Sequence, residues 1–377
     1  MSNEPHPRIC WLPALPDEGW ASMDRYWFEL HRCVSEGQGK AFSIHSPIWL
    51  GAPPSRSARS PTLTRFWRKR VVYPLRTSSE KADIFHLLDH SYAHLIPHLP
   101  RGSKVVATVF DLVPLEVSDG MSAAQVKRFR RGVENLTCAD HLISISQETK
   151  RKLNRLLGIP LERVTVAVPG MDFHRFQTPV SKDHPLLQKL ASLPRIIFSV
   201  GSAISRKNLQ SLPSIFETMR EDFAKGSCCF VRAGELVSPE LRRQIIAITG
   251  EHGFVELGPL FGDDLIAVFQ TARVLIFPST LEGLTFVIPE AMAAGCPVVT
   301  NTMTANPEAG GDAALYYQEG DSNAAAQQLR RLLFDNATHQ EHQQRSIERA
   351  RSMTWERHME TVLDVYQALL QDSRIPS

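Results

Sequence analysis

Several things are scarce in this sequence, and each scarcity removes a class of protein. The six cysteines, Cys10, Cys33, Cys138, Cys228, Cys229 and Cys296, show no Cys-x-x-Cys spacing and no regular intervals. That excludes a disulfide framework or a zinc site and leaves reduced, buried thiols. Long apolar runs are missing too. The stretch Ile9 to Leu15 is short and broken by Pro13, so it makes neither a secretion signal nor a membrane span, which needs about 18 apolar residues. Cytoplasmic residence is expected, with peripheral membrane contact open. Net charge is only +2, which gives no electrostatic case for nucleic acid as a partner. No Asp-x-Asp occurs, so a magnesium-bridged substrate is not expected. No Gly-x-Gly-x-x-Gly follows the first apolar run, which disfavours a nicotinamide dehydrogenase.

What is present is size and alternation. With 377 residues, 43% of them hydrophobic and 22% charged, the chain is long enough for two domains with a core each. Short β-branched or apolar runs, Ile9 to Leu12, Ile84 to Leu88, Lys104 to Val109, His141 to Ile145 and Val164 to Val168, alternate with helix-like intervals. This predicts an α/β domain, a parallel sheet covered by helices. Pro and Gly punctuate Val168-Pro-Gly-Met-Asp-Phe and the stretch on to Pro194, which reads as turn and linker. The pattern restarts with Arg195 to Val200, Cys229 to Arg232, Val274 to Phe277 and Pro297 to Thr300, a second α/β sheet. The domains are thus placed at 1–175 and 190–355. Trp355, Met359, Val362, Leu363, Tyr366 and Leu370 form one helical stripe behind Thr354, a fitting N-cap. This last helix, within 355–377, is expected to return to the first domain.

The densest chemistry lies in Phe277-Pro-Ser-Thr-Leu-Glu-Gly-Leu-Thr-Phe-Val-Ile-Pro-Glu-Ala-Met-Ala-Ala-Gly-Cys-Pro-Val-Val-Thr, where seven residues separate Glu282 from Glu290. Pro289 suits the first turn of a short helix and Gly295 its end, so the amides of Gly283, Leu284 and Thr285 are expected at a positive dipole end that suits a diphosphate. Glu290 would accept ribose hydroxyls and Glu282 sugar hydroxyls. Arg206 and Lys207 supply cations beside a departing diphosphate, where they stabilise the charge that develops as the glycosidic bond breaks. Plainer readings remain for each: a helix-start carboxylate, a loop cap, a solvated Arg-Lys pair.

This stretch resembles the donor site of the family 4 glycosyltransferases, whose paired glutamates have the same spacing. The resemblance extends to Val200-Gly201 through Lys207-Asn208 as a phosphate loop, to Phe254 through Ala272, with Leu260, as a base-contacting region, and to Asn306-Pro-Glu-Ala-Gly-Gly-Asp-Ala-Ala as the next loop. It implies a GT-B fold, two Rossmann-like β/α/β domains facing across a cleft, and a retaining transfer of a hexosyl-type sugar. The donor would be a nucleotide-diphosphate sugar and the acceptor a glycan, lipid-linked or other hydroxyl, with no cofactor and no metal. The implied donor-binding residues are Gly201, Ser202, Gly283, Leu284, Thr285, Glu290 and Leu260, with Lys207, Arg206 and Glu282 at the reacting end. The pattern is departed from in three places. Phe110 stands where many members have a histidine, leaving Asp111 to carry part of its role. Ser202 stands where many have an arginine. Gly-Leu-Thr-Phe replaces Gly-Phe-Gly-Leu after Glu282. A degenerate nucleotide-sugar binder and a nucleotide-sugar epimerase of the same fold are the alternative readings.

Outside that stretch the signals are weaker. His86, His90, His94 and His98 recur every four residues, but Pro97 and Pro100 interrupt a helix and argue against a metal face. His90 is the candidate for touching sugar. Gly19 and Ser22 lie in a loop that corresponds to one approaching the donor phosphates. The stretch from Ala52 to Ser79 carries Arg56, Arg59, Arg65, Arg68, Lys69, Arg70 and Arg76 with Phe66 and Trp67 and no acidic residue. Such a composition fits either anionic lipid or a solvated basic face; Lys127, Arg128, Arg130 and Arg131 would extend it.

Overall fold

The computed structural model describes residues 6–18, 20–50, 62–118 and 120–372. The chain divides into two units, residues 1–170 with 355–377, and residues 171–354. The division falls just after Gly170 because the following segment packs with the second unit. Met171 N–H bonds the Met353 carbonyl at 3.1 Å, and the Phe176 ring meets Phe269 at 6.2 Å. Two short helices occupy the stretch that punctuation alone marks as linker. Asp172 caps Phe173–Gln177 through the Arg175 amide, and Pro185 opens Pro185–Ala191, where its missing N–H costs nothing.

The first unit holds strands β1 (Arg8–Leu12), β2 (Ser43–His45), β3 (Ile84–Leu87), β4 (Lys104–Val109), β5 (His141–Ser144) and β6 (Val164–Val166), all parallel, in the order β2-β1-β3-β4-β5-β6. The inner strands are buried on both faces, which is why they read as continuous apolar runs. The second unit holds β7 (Arg195–Gly201), β8 (Cys228–Gly234), β9 (Phe254–Glu256), β10 (Val274–Phe277), β11 (Val298–Asn301) and β12 (Leu315–Tyr317), again parallel, ordered β12-β11-β10-β7-β8-β9. Strands β2, β9 and β12 are not evident in the sequence: each has three residues at a sheet edge, and none shows the clear β-branched run by which β6, equally short and also at an edge, is read.

One feature departs from the sequence reading. His90–His98 forms a run of 3-10 turns that includes Pro97, so proline does not interrupt helix there. Asp89 starts the run by accepting the Ser91 amide at 2.8 Å. Short 3-10 turns use i to i+3 bonds and tolerate a proline that the α-helix interior does not.

The last helix, Trp355–Asp372, belongs to the first unit. It is fixed there by a buried hydrogen-bonded chain as well as by Trp355, Met359, Val362 and Tyr366. Trp11 Nε1 donates to Tyr366 Oη at 2.9 Å, and Tyr366 Oη meets His86 Nδ1. His86 Nε2 meets Thr108 Oγ1 at 2.8 Å, Thr108 meets Tyr26 Oη at 3.2 Å, and Tyr26 meets His358 Nε2 at 2.8 Å. His358 Nδ1 closes the chain on the Ala167 carbonyl at 3.2 Å. One consistent set of neutral tautomers satisfies every member.

Candidate functional site

In an open parallel sheet, ligands collect beyond the carboxyl ends of the strands where the strand order reverses. In the second unit that point lies between β7 and β10. Two loops leave it, Ser202–Asn208 after β7 and Pro278–Phe286 after β10, and these carry Arg206, Lys207 and Glu282.

The loops are tied together. The Arg206 carbonyl accepts the Thr280 amide at 2.9 Å and Ser279 Oγ at 3.1 Å. Lys207 Nζ lies 2.6 Å from Glu282 Oε1, and Arg206 Nη1 lies 3.0 Å from Glu282 Oε2. Ser279 Oγ donates to the same Oε1 at 2.6 Å, and Lys207 Nζ sits 5.2 Å over the Phe277 ring. Glu282 is buried, and both cations are half-buried. A carboxylate held by two cations and a hydroxyl is an ordered charge cluster of the type that presents cations to an anion. Asn208 turns the chain out of the cluster with φ of 52°.

The floor is equally fixed. Asn301 Nδ2 donates to the Pro278 and Ser279 carbonyls, Asn306 Nδ2 donates to Ser279 O, and the Glu282 amide donates to Thr304 Oγ1 at 3.1 Å. Gly201 and Gly234 face each other across β7 and β8, and a Cβ at Gly234 would lie 2.2 Å from the Gly201 oxygen. Only glycine allows that approach.

Glu290 lies in the first turn of the helix Val287–Ala293 and is half-buried. Gly283, Leu284 and Thr285 precede that helix in extended loop, with Thr285 Oγ1 accepting the Val287 amide at 3.1 Å. Gly201 and Ser202 are half-buried at the end of β7. Leu260, after β9, lines a cavity of about 440 Å³ with Leu257, Glu256, Asp264 and the residues His184–Leu186 and Lys189. Apart from Gly201, the last residue of β7, and Glu290, which is helical, the second-unit candidates sit between the carboxyl ends of β7, β9 and β10 and the α-helices that follow.

In the first unit the order reverses between β1 and β3. His90, buried, follows β3; its Nδ1 lies 3.4 Å from the Phe110 amide and 3.4 Å from Asp89 Oδ1. Phe110 is buried edge-on against Tyr26 at 5.0 Å and so faces the core. Asp111, half-buried, accepts the Val113 amide at 3.0 Å. Ser22 is exposed in the helix Ala21–Ser35, and Gly19 lies outside the described residues.

The surroundings of Lys69 are not revealed by composition. Its Nζ bonds Glu18 Oε1 at 2.8 Å and lies 4.1 Å over Tyr92 and 4.9 Å over Trp20. Burial lowers its pKa, against the attraction of Glu18. Lys69 thus faces inward, Arg65 reaches the same Glu18 at 3.5 Å, and Arg70 is half-buried; Arg56 and Arg59 lie outside the described residues. Thr62–Thr77 forms three consecutive helical pieces, α, π and α. Leu63, Phe66, Trp67, Val71 and Leu75 are exposed along it, Leu75 at 69%. Leu63, Trp67, Val71 and Leu75 recur every four residues, and the π-turn at 68–72 lies within that series. Arg128, from the helix Ala123–Val133, lies over Phe66 at 5.8 Å. Among the described residues no helix is long and apolar enough to cross a membrane.

Two family profiles match this chain, Glycosyltransferase Family 4 over residues 28–175 and Glycosyl transferases group 1 over residues 194–335. The chain belongs to the family 4 glycosyltransferases. Like other members it has the GT-B fold, two Rossmann-like domains. It is 22% identical to O-antigen chain mannosyltransferase B of Escherichia coli over 82% of this chain and 81% of that one. The serotype-specific mannosyltransferase WbdA of Escherichia coli is 22% identical over 75% of this chain, which spans 36% of that protein. The Anabaena HepE structure in complex with UDP superposes with a TM-score of 0.70 at 14% identity, covering 97% of this chain and all of that one.

Proposed function

We propose that this glycosyltransferase moves a hexosyl group from a nucleotide-diphosphate sugar to a glycan or lipid-linked hydroxyl, with retention and without a metal, in cell-surface polysaccharide synthesis. The observation that carries the reading is the convergence of Lys207 and Arg206 on Glu282 at the β7/β10 switch point. As the bond from anomeric carbon to phosphate breaks, negative charge builds on the diphosphate. Two cations already held in place meet that charge without reorganising. The loop amides of Gly283, Leu284 and Thr285 supply neutral donors to the same anion, Glu290 accepts the ribose hydroxyls, and Glu282 turns a carboxylate oxygen to the sugar. The leaving phosphate takes the acceptor's proton on the face it departs from, so configuration is kept with no protein nucleophile. The cavity beside Leu260 receives the base.

The relatives support the substrate class. Two are named as mannosyltransferases of O-antigen or serotype-specific glycans, and the HepE structure holds UDP. Mannosyl and glucosyl donors of GDP and UDP are therefore the first to test. His90 and Asp111 serve sugar hydroxyls in the first unit. The apolar face of Thr62–Thr77 with Arg68, Arg76, Lys127, Arg128, Arg130 and Arg131 rests on anionic lipid at the cytoplasmic surface, which brings a lipid-linked acceptor within reach.

Product analysis tests the reading. Incubation with each donor, with and without an acceptor glycan, is expected to give acceptor-dependent nucleoside diphosphate and an anomer matching the donor by NMR. Conversion of the donor, without acceptor, into the epimeric nucleotide sugar or into free epimeric sugar and nucleotide by water indicates an epimerase, and donor binding without turnover a degenerate member. Either result would falsify the transferase reading.

A further inference from the structure

We infer that Arg232 is a third cationic element of the donor site, a positioning residue that fixes the phosphate loop from beneath and leaves its charge to be neutralised by the bound diphosphate. This rests on the donor reading above and names a residue that reading does not use. Arg232 stands on β8 beside Ser199 of β7 and Glu256 of β9, and it is 1% exposed. Nη2 donates to three backbone carbonyls, Gly201 at 2.9 Å, Ser202 at 3.3 Å and Glu235 at 3.0 Å. Gly201 and Ser202 begin the loop that ends in Arg206 and Lys207, and Glu235 reaches back to it, its carboxylate accepting the Ala203 amide at 2.9 Å. One buried guanidinium therefore sets the course of the loop at its root.

Its other nitrogens are the informative ones. Nε and Nη1 are buried and have no hydrogen-bond partner. Among the described residues no salt bridge to Arg232 forms; burial lowers its pKa, and Glu256 and Glu235 counter that only from a distance. Neutral carbonyls do not compensate a full positive charge, and a core charge without its counter-ion is destabilising in the protein alone. The nearby group that would relieve it is an anion over the Gly201–Lys207 loop. Arg206 and Lys207 are themselves tied to Glu282, so a buried charge without a protein counter-ion adds what that pair lacks.

Two substitutions separate holding the loop from supplying charge. Arg232→Gln keeps an NH2 donor and removes the charge; Arg232→Lys keeps the charge with fewer directed donors. Dissociation constants are measured by calorimetry for UDP, GDP, ADP and dTDP and for the uncharged nucleoside of whichever diphosphate binds. Arg232→Gln is expected to weaken the diphosphate by about tenfold or more and the nucleoside by less than about threefold, while Arg232→Lys stays within about threefold of the wild type for both. Wild-type diphosphate affinity in Arg232→Gln overturns the inference, as does equal loss of diphosphate and nucleoside. If Arg232→Gln does not fold, tenfold diphosphate weakening in a folded Arg232→Lys protein overturns it as well. Lys207→Met distinguishes the levels: if it abolishes diphosphate binding while Arg232→Gln does not, the donor reading stands and this inference falls. If no diphosphate binds the wild type, both fall.

Discussion

Glu282 is the residue on which the second-unit site turns, because it is the common acceptor for Arg206, Lys207 and Ser279. Removing its charge frees two half-buried cations from their partner. Glu282→Gln is expected to lower kcat by about 100-fold while leaving nucleotide affinity within a few-fold, since the cations remain for the phosphates. Steady-state kinetics on the best donor checks this; a loss confined to KM would contradict the assigned role. Lys207→Ala removes a cation from the leaving group, and about 2.7–4 kcal/mol of transition-state stabilisation should go with it, read as kcat/KM. Residues 206, 207, 282 and 290 were singled out in the sequence by resemblance to the family 4 donor site, and the structure brings 206, 207 and 282 together. Arg232 and the setting of Lys69 were not legible there. The first is a lone arginine in the apolar run Cys-Cys-Phe-Val-Arg-Ala-Gly, which is itself a signal of a buried charge, whereas the inward turn of Lys69 within seven basic residues depends on Glu18, some fifty residues earlier.

At the scale of elements, the interior strands and the short edge strand β6 announced themselves through β-branched runs, and the edge strands β2, β9 and β12, three residues each, did not. The helical run 62–77 was visible only as composition; the π-turn within it is a backbone feature. Leu63→Ser, Trp67→Ser and Leu75→Ser together should reduce binding to phosphatidylglycerol vesicles at least about tenfold, with turnover of a water-soluble acceptor unchanged. Unaltered vesicle co-sedimentation would remove the membrane face. The last helix carries a pH dependence. Burial pushes His86 down to about 3 and His358 to about 4. An unfolded chain protonates both below the ordinary histidine value near 6.5, and the folded unit does not. Their contribution is therefore present above about pH 6.5 and is lost as pH falls toward 4 and then 3. Thermal melts across that window should show a falling midpoint, with a shallower slope in a His358→Gln variant.

In the molecule as a whole, the proposed donor site lies where two loops leave a Rossmann sheet. A ligand at about 100 times its dissociation constant stabilises its folded unit by roughly 2.7 kcal/mol, so binding is visible as a shift in unfolding temperature. The most direct measurement compares that shift for the wild type, Lys207→Ala and Glu290→Ala across UDP, GDP, ADP and dTDP. One diphosphate should stabilise the wild type, with most of the shift gone in both variants. An equal shift in all three proteins, or none with any diphosphate, would contradict the account.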